Sequence, residues 1–177
     1  ITMKKILVVF DGAHYPTATL DLALQLNHKE RIMLTGIFLP SVDYAEAMSY
    51  YYYGNAIAPL YLEEYQDAPK AIQHNVDLFE TFCREHHISH KVHRDIKKKV
   101  VQELQYETRF ADLLILSSTH FYENLGTMIQ EDYITDTLHK AECPVLLLPG
   151  EYTPPQNVIF AYDGSASSMH AIKQFIY

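Results

Sequence analysis

Apolar runs of strand length alternate along this chain with segments in which apolar residues recur at helical spacing. The predicted strands are 4–10, 31–39, 88–93, 112–118 and 143–149, and the predicted helices are 17–26, 69–87, 99–110 and 133–141. This alternation is typical of βαβ units, whose crossovers are right-handed. The pattern therefore predicts an α/β fold with one doubly wound, five-stranded parallel sheet.

The strands differ in polarity, and this difference predicts their places in the sheet. Residues 4–10 have no polar face, as expected of a strand that is covered on both sides. Residues 88–93 are more polar and are expected at a sheet edge. Because doubly wound sheets bind ligands beyond the carboxyl ends of their strands, the expected site lies near Asp11, Gly12 and the segment after Leu116.

Residues 40–69 separate the second strand from the second helix and contain seven tyrosines but no obvious long element. Loops of this length in compact domains are usually functional or mobile. Tyrosine suits a surface that is apolar at one end and wet at the other. The segment is predicted to be a lid over the strand ends or a dimer surface, with a self-packed excursion containing a short helix as the alternative.

Composition narrows the classes of function. The 177 residues are 48% hydrophobic, which is enough for one well-buried domain, and the net charge of −8 gives no reason to bind nucleic acid or an anionic membrane. The basic run 97–99 is expected on a solvated face. No run approaches the roughly 18 apolar residues of a membrane helix and no leader pattern is present, so a cytoplasmic protein is expected. Cys83 and Cys143 are expected to be reduced core thiols.

The chain also repeats itself. Aligning residues 5–24 with 157–176 at an offset of 152 places a strand pattern, an Asp-Gly turn and a helix pattern in the same order, with Asp163 matching Asp11. Duplication is the better explanation of this match than coincidence. We therefore expect a first domain over 1–149, a linker over 150–156, and the strand and helix of a truncated second repeat over 157–177.

Four motifs in order resemble the universal stress protein family: "KKILVVFDG", "RDIKKKVVQEL" leading into "ADLLILSSTH", and "AECPVLLLP". A further segment, "NVIFAYDGSASS", resembles the opening of a second such domain. The resemblance covers residues 4–149. It implies a sheet in the order 3-2-1-4-5, dimers joined through the last strand, and either ATP-binding or non-binding behaviour. By this resemblance, strand 143–149 would pair with a second copy or with the second domain of the same chain.

ATP-binding members of that family resemble one another in three spaced glycines after strand four. The first two fall here on Ser117 and His120, and the third falls on Gln130 or Glu131. Glycine leaves no Cβ between backbone amides and phosphate oxygens, whereas a histidine side chain would fill that approach. ATP binding in the usual manner, and therefore a cofactor, is not expected. The candidate pocket, vestigial for nucleotide, comprises Asp11, Gly12, Ala13, Ile37, Ser117, Ser118, Thr119, His120, Gly126, Gln130 and Glu131.

Several of these residues have a simpler alternative role. Glu131 and Asp132 would repel a triphosphate at the start of the fourth helix, or would cap that helix. Asp11 matches the family's adenosine-facing aspartate, but it can equally anchor a tight turn. The hydroxyls of Ser117, Ser118 and Thr119 can bind a smaller polar ligand or end a strand.

Four histidines, His86, His87, His90 and His93, lie within eight residues. Zinc needs about four converging ligands, but His90 and His93 are predicted on opposite sides of a strand. A surface cluster that titrates near neutral pH is therefore favoured over a metal site. No catalytic motif is present, so an enzyme is the weaker hypothesis.

The sequence thus leaves three hypotheses. The leading one is a non-enzymatic stress-response domain that acts through dimerisation or tandem pairing and can bind a small polar ligand. The second is an adenine-nucleotide binder with weak hydrolysis. The third is a metal-responsive module.

Overall fold

The computed structural model describes residues 4–11, 15–39, 58–93, 100–118 and 133–176. The strands are β1 (Lys4–Asp11), β2 (Ile32–Leu39), β3 (Ser89–His93), β4 (Leu113–Ser117) and β5 (Val145–Leu148). The helices are α1 (Thr17–Lys29), α2 (Ala58–Glu85), α3 (Val100–Thr108), α4 (Tyr133–Lys140) and α5 (Ala166–Ile176). The predicted alternation of strands and helices is confirmed as far as β5.

The five strands form one parallel sheet in the order β3-β2-β1-β4-β5. β1 lies at the centre and pairs with β2 along its whole length, from Lys4 opposite Ile32 to Asp11 opposite Leu39. The more polar β3 lies at one edge and β5 at the other. The predicted doubly wound α/β fold and the edge position of 88–93 are therefore confirmed.

Alternation along β1 distributes its side chains between two cores, as the pleat of a strand requires. Ile6, Val8 and Phe10 pack on the face covered by α1 and α2. Leu7 and Val9 pack on the opposite face, where Leu104 of α3 lies. Burial on both faces explains why the sequence of β1 lacks a polar face.

Aromatic rings fill the first core near the carboxyl ends of β1 and β2. Phe10 and Phe38 are stacked with ring centroids 4.3 Å apart, and Phe79 of α2 meets Phe10 edge-on at 5.3 Å. A Cβ added to Gly36 would lie 2.8 Å from Phe38 and 3.1 Å from Phe79. Glycine at this position therefore permits the close approach of the rings to the strand. Burial of each ring contributes roughly 1.5–3 kcal/mol to stability.

The start of α2 corrects one prediction. The helix was expected from near Pro69, at the end of a tyrosine-rich loop over 40–69, but it begins at Ala58. Pro59 occupies its first turn, where a missing N–H is tolerated, whereas Pro69 lies in the interior. Residues 58–69 are thus helical, and residues 40–57 lie outside the described part of the chain.

The C-terminal segment corrects a second prediction. Residues 166–176 form the expected helix α5, but residues 157–163 form no strand and are exposed. No strand of the described sheet pairs with them. A strand needs a neighbour for its backbone groups, so the apolar pattern alone does not produce one. The proposed duplication itself remains a prediction.

None of the helices within the described ranges is long and apolar enough to cross a membrane.

Candidate functional site

The central feature of the sheet is the point where its strand order reverses. From β1 the chain proceeds to β2 and β3 on one side, and β4 and β5 lie on the other side. β1 and β4 are neighbours, with Val8 opposite Ile115. The ladder between β1 and β4 ends at this pair, and Asp11 and Ser118 each lie three residues further along the chain. Ligands of doubly wound sheets bind at this crevice, which makes it the candidate site.

Two serines stand at the end of β4. Ser117 is half-buried and pairs with Leu148 in the ladder between β4 and β5. Ser118 is only 4% exposed, and its backbone N–H donates to the carbonyl oxygen of Leu148 at 2.7 Å. The amide of Ser118 is therefore already used within the protein.

The other predicted pocket residues divide into two groups. Ile37 is 1% exposed and packs in the core with Val9 and Leu104, below the strand ends. The backbone of Asp11 ends β1. The remaining members lie outside the described residues: Gly12, Ala13, Thr119, His120, Gly126, Gln130 and Glu131. Two of the predicted positions, Asp11 and Ser118, thus lie at the carboxyl ends of the adjacent strands β1 and β4.

Three of the four histidines contact different partners. His86 lies against Phe82, with ring centroids 4.6 Å apart, and His90 meets Phe79 edge-on at 5.9 Å. His93 lies on the other face, where its Nδ1 is 3.6 Å from Glu107 Oε1. The prediction that His90 and His93 face opposite sides is confirmed. Across the described ranges, no three His, Cys, Asp or Glu side chains come together as a metal site would require.

A charged cluster on the α3 face was not foreseen from the sequence. Lys5 Nζ lies 2.9 Å from Glu107 Oε2, and the same carboxylate faces His93. The backbone N–H of Lys5 also donates to Asp112 Oδ2 at 2.8 Å. The sequence feature that could have predicted this cluster is Lys5, a charged residue that directly precedes the apolar residues 6–10 of β1. These contacts join β1, β3, α3 and the start of β4, so they orient the sheet rather than form a reactive site.

The two thiols are poorly suited to nucleophilic chemistry. Cys83 and Cys143 are free, as expected from the sequence, although Cys143 is only half-buried. Burial, followed by the charge of Glu80, raises the pKa of Cys83 to about 12. Burial, followed by the charge of Asp112, raises the pKa of Cys143 to about 11. Because the thiolate is the reactive form, both groups are inert at neutral pH.

Comparisons with known proteins relate this chain to solved structures through its fold. No family model matches the sequence. No curated protein matches it either. Among solved structures, the universal stress protein from Archaeoglobus fulgidus is similar with a TM-score of 0.51 and 14% identity, over 83% of this chain and 98% of that one.

Two further structures show the same relationship. Universal stress protein UspA from Lactobacillus plantarum has a TM-score of 0.51 and 16% identity, over 84% of this chain and 99% of that one. A hypothetical protein whose biochemical function was assigned from its structure has a TM-score of 0.52 and 16% identity, over 86% of this chain and 100% of that one. At these identities the likeness concerns the fold, and it agrees with the strand order found in the sheet. The chain therefore has the α/β fold of the universal stress proteins.

Proposed function

We propose that this chain is a non-enzymatic stress-response domain of the universal stress type that does not hold ATP in the manner of the family's ATP-binding members. The observation that carries the proposal is the end of β4. The amide of Ser118 donates to Leu148 instead of pointing at an open cradle. Phosphate loops bind through free backbone amides at such positions, so this amide is not available to a phosphate.

The residue types after β4 support the same conclusion. The three positions that would carry glycine hold Ser117, His120 and Gln130 or Glu131. A side chain at each position adds a Cβ where the phosphate oxygens would need to approach the backbone. Glu131 and Asp132 precede Tyr133, the first residue of α4, and would repel an anion from that helix start. The loop chemistry is therefore unfavourable to a triphosphate.

A smaller polar ligand is compatible with the residues at the switch point. Serine hydroxyls both donate and accept hydrogen bonds, and a carboxylate accepts them. Asp11 and Ser118 follow the carboxyl ends of the paired segments of the adjacent strands β1 and β4, so the ligand is proposed to be one small molecule with hydroxyl or amine groups that binds beyond those ends. We assign this ligand class to the site in place of a nucleotide.

The working form is proposed to be a pair of domains joined through β5, either in two copies of the chain or in two domains of one chain. β5 pairs only with β4 among the described strands, and Val145, Leu146 and Leu147 remain half-buried. An apolar edge strand is a template for pairing unless it is covered. Pairing along β5 would supply that cover.

Calorimetric titration with magnesium ATP, and with ADP and AMP in parallel, tests the nucleotide part of the proposal. We expect no heat and no thermal shift at millimolar nucleotide. The double variant Ser117→Gly/His120→Gly is expected to gain measurable ATP affinity because it restores two glycines of the pattern. Thr119→Gly is the matched control, since it loosens the same loop at a position outside the pattern. Micromolar ATP binding by the unmodified chain would overturn the proposal.

A further inference from the structure

One carboxylate on the α3 face is shared by two basic side chains. Lys5 Nζ lies 2.9 Å from Glu107 Oε2, and His93 Nδ1 lies 3.6 Å from Glu107 Oε1. The exposed fractions of the Lys5, His93 and Glu107 side chains are 22%, 21% and 13%. Charges shielded to this degree interact more strongly than charges on an open surface, because less water and salt screen them. The cluster therefore couples β1, β3 and α3 electrostatically.

The register of the sheet explains how one carboxylate reaches both basic side chains. Lys5 of β1 lies two positions before the residue opposite Thr35 of β2, and His93 of β3 lies two positions after the residue opposite it. Because alternate residues of a strand share a face, Lys5, Thr35 and His93 lie along a diagonal on one face of the sheet. Glu107 contacts both ends of this diagonal, so its carboxylate bridges β1 and β3 across β2.

The sheet between the two basic residues is polar at its centre. Thr35 is 1% exposed, and its Oγ1 has no hydrogen-bond partner among the described residues. Buried hydroxyl groups in proteins are nearly always hydrogen-bonded. The diagonal therefore retains hydrogen-bonding capacity, which a rearranged Glu107 or His93 side chain can use.

The two contacts of Glu107 differ in length. The Lys5 contact has the length of a charge-assisted hydrogen bond, whereas the 3.6 Å between His93 Nδ1 and Glu107 Oε1 exceeds the range of a hydrogen bond. Histidine is the side chain whose charge ordinarily changes between about pH 5 and 8. A proton taken up from solvent makes both ring nitrogens donors, so Nδ1 of the imidazolium would present an N–H to Oε1.

The other charged groups around His93 were compared with Glu107 across every element of the described chain that packs on it. Lys91 lies two residues earlier on the same face and is exposed. Asp112, at the start of β4, accepts a hydrogen bond from the backbone N–H of Lys5 at 2.8 Å. The residues of β2 that pair with β3 carry no charge. Within the described ranges, Glu107 is therefore the carboxylate that an imidazolium at His93 would meet.

We propose that Lys5, His93 and Glu107 form a proton-dependent clamp between the carboxyl end of β3 and α3. When His93 is protonated, its imidazolium closes onto Glu107 Oε1 while Lys5 keeps Oε2. His93 is the last residue of β3, an edge strand whose one described neighbour is β2, so the clamp fixes the end of that strand. The stabilisation is present while His93 is charged and is lost as the pH rises and the imidazole becomes neutral. The proposal goes beyond the proposed function and does not depend on it.

A double-mutant cycle on the full chain at about pH 5.5 and about pH 8 tests the clamp. Urea denaturation gives the unfolding equilibrium constants of the unmodified chain, His93→Gln, Glu107→Gln and the double variant. We expect His93 and Glu107 to be coupled by about fivefold at the lower pH and by less than about twofold at the higher pH. His90→Gln is the matched control, because His90 lies on the same strand but packs against Phe79 on the opposite face. Its coupling to Glu107 should stay below about twofold at both pH values.

Two further measurements separate the proton from the position of the side chain. His93→Lys carries a charge at both pH values, so its coupling to Glu107 should persist at about pH 8. Amide exchange of residues 89–93 in the unmodified chain requires no substitution. Expressed as protection factors, which remove the intrinsic pH dependence of exchange, it should show greater protection at the lower pH.

The outcomes that would overturn the clamp are equally specific. A coupling between His93 and Glu107 that is absent at both pH values, or equal at both, would show that protonation does not tighten their contact. Equal protection of residues 89–93 at the two pH values would lead to the same conclusion, even if a substituted chain failed to fold.

Discussion

Residues 5–24 and 157–176 have similar sequences but opposite environments. The first segment forms the central strand and α1, and its apolar side chains are buried on both faces. The second forms a helix but no strand, and its apolar side chains are exposed. Helix hydrogen bonds form within one segment, whereas a strand depends on its neighbours. The comparison shows that one hydrophobic pattern yields a strand only where flanking strands complete it.

The largest difference in stability is expected when Leu7 and Ile159, which match at the offset of 152, are each replaced by alanine. Leu7→Ala removes a fully buried group and should lower the free energy of unfolding by about 3–5 kcal/mol. Ile159→Ala alters the corresponding exposed position and should change it by less than about 0.5 kcal/mol in the monomer. Urea denaturation at low protein concentration measures both values. Equal effects would show that residues 157–176 are part of the core.

Alkaline pH should destabilise the folded domain, because Tyr15 and Cys83 have raised pKa values in the folded state. Burial, and then the charge of Cys83, raises the pKa of Tyr15 to about 12, and burial raises that of Cys83 from 9.0 to about 12. The unfolded chain releases these protons at lower pH, so stability is complete below pH 9 and falls towards pH 12. The loss for Cys83 is on the order of 4 kcal/mol, because each unit of pKa difference is worth about 1.4 kcal/mol. Denaturation at several pH values should show a shallower decline in Cys83→Ala, with Cys143→Ala as the less affected control.

Substitutions at two glycines extend the comparison, because Gly36 is buried in the sheet and Gly164 is exposed before α5. Gly36→Ala would force a Cβ against Phe38 and Phe79 and should destabilise the domain by about 1–3 kcal/mol. Gly164→Ala meets no atom within 4 Å, but it strains a backbone with φ of 86°. Its effect should be about 1 kcal/mol and confined to the start of α5. Thermal unfolding reports the first effect, and amide exchange in α5 reports the second. Global destabilisation by Gly164→Ala alone would contradict this assignment.

The smallest effect concerns the cap of α5. Hydrogen bonds from Ser165, and then from Ser168, lower the pKa of Asp163 from 3.8 to about 2. Because folding lowers this pKa, the ionised Asp163 carboxylate stabilises the cap above pH 3.8, and this stabilisation is lost as the pH falls through 2. An NMR titration of the Asp163 carboxyl group should give a midpoint near 2, which Ser165→Ala should return towards 3.8. An unchanged midpoint in that variant would refute the hydrogen-bond explanation.

Most of the domain was predictable because its local and tertiary preferences agree. The strands β1, β2 and β4 are nearly continuous apolar runs, which only a covered parallel sheet accommodates. The divergence of His90 and His93 followed from the two-residue period of a strand. The family resemblance supplied the strand order that periodicity alone does not determine.

The failures arose where two signals competed. Pro69 predicts the first turn of α2, although Pro59 offers the same signal ten residues earlier among tyrosines, which are weak helix formers. Residues 157–163 carry a strand pattern, but no sequence signal indicates whether neighbouring strands are present. At the site, sequence identified the strand ends, but it could not reveal that the amide of Ser118 is used by Leu148.

Hydrogen exchange of the backbone amides in 6–10 and 158–162, measured at low and high protein concentration, tests the comparison most directly. We predict slow exchange in 6–10 at both concentrations, because these residues form the central strand. Residues 158–162 should exchange within seconds at both concentrations, because they pair with no strand of the described sheet. Equal protection of the two segments at low concentration would contradict the claim that only covering strands distinguish them.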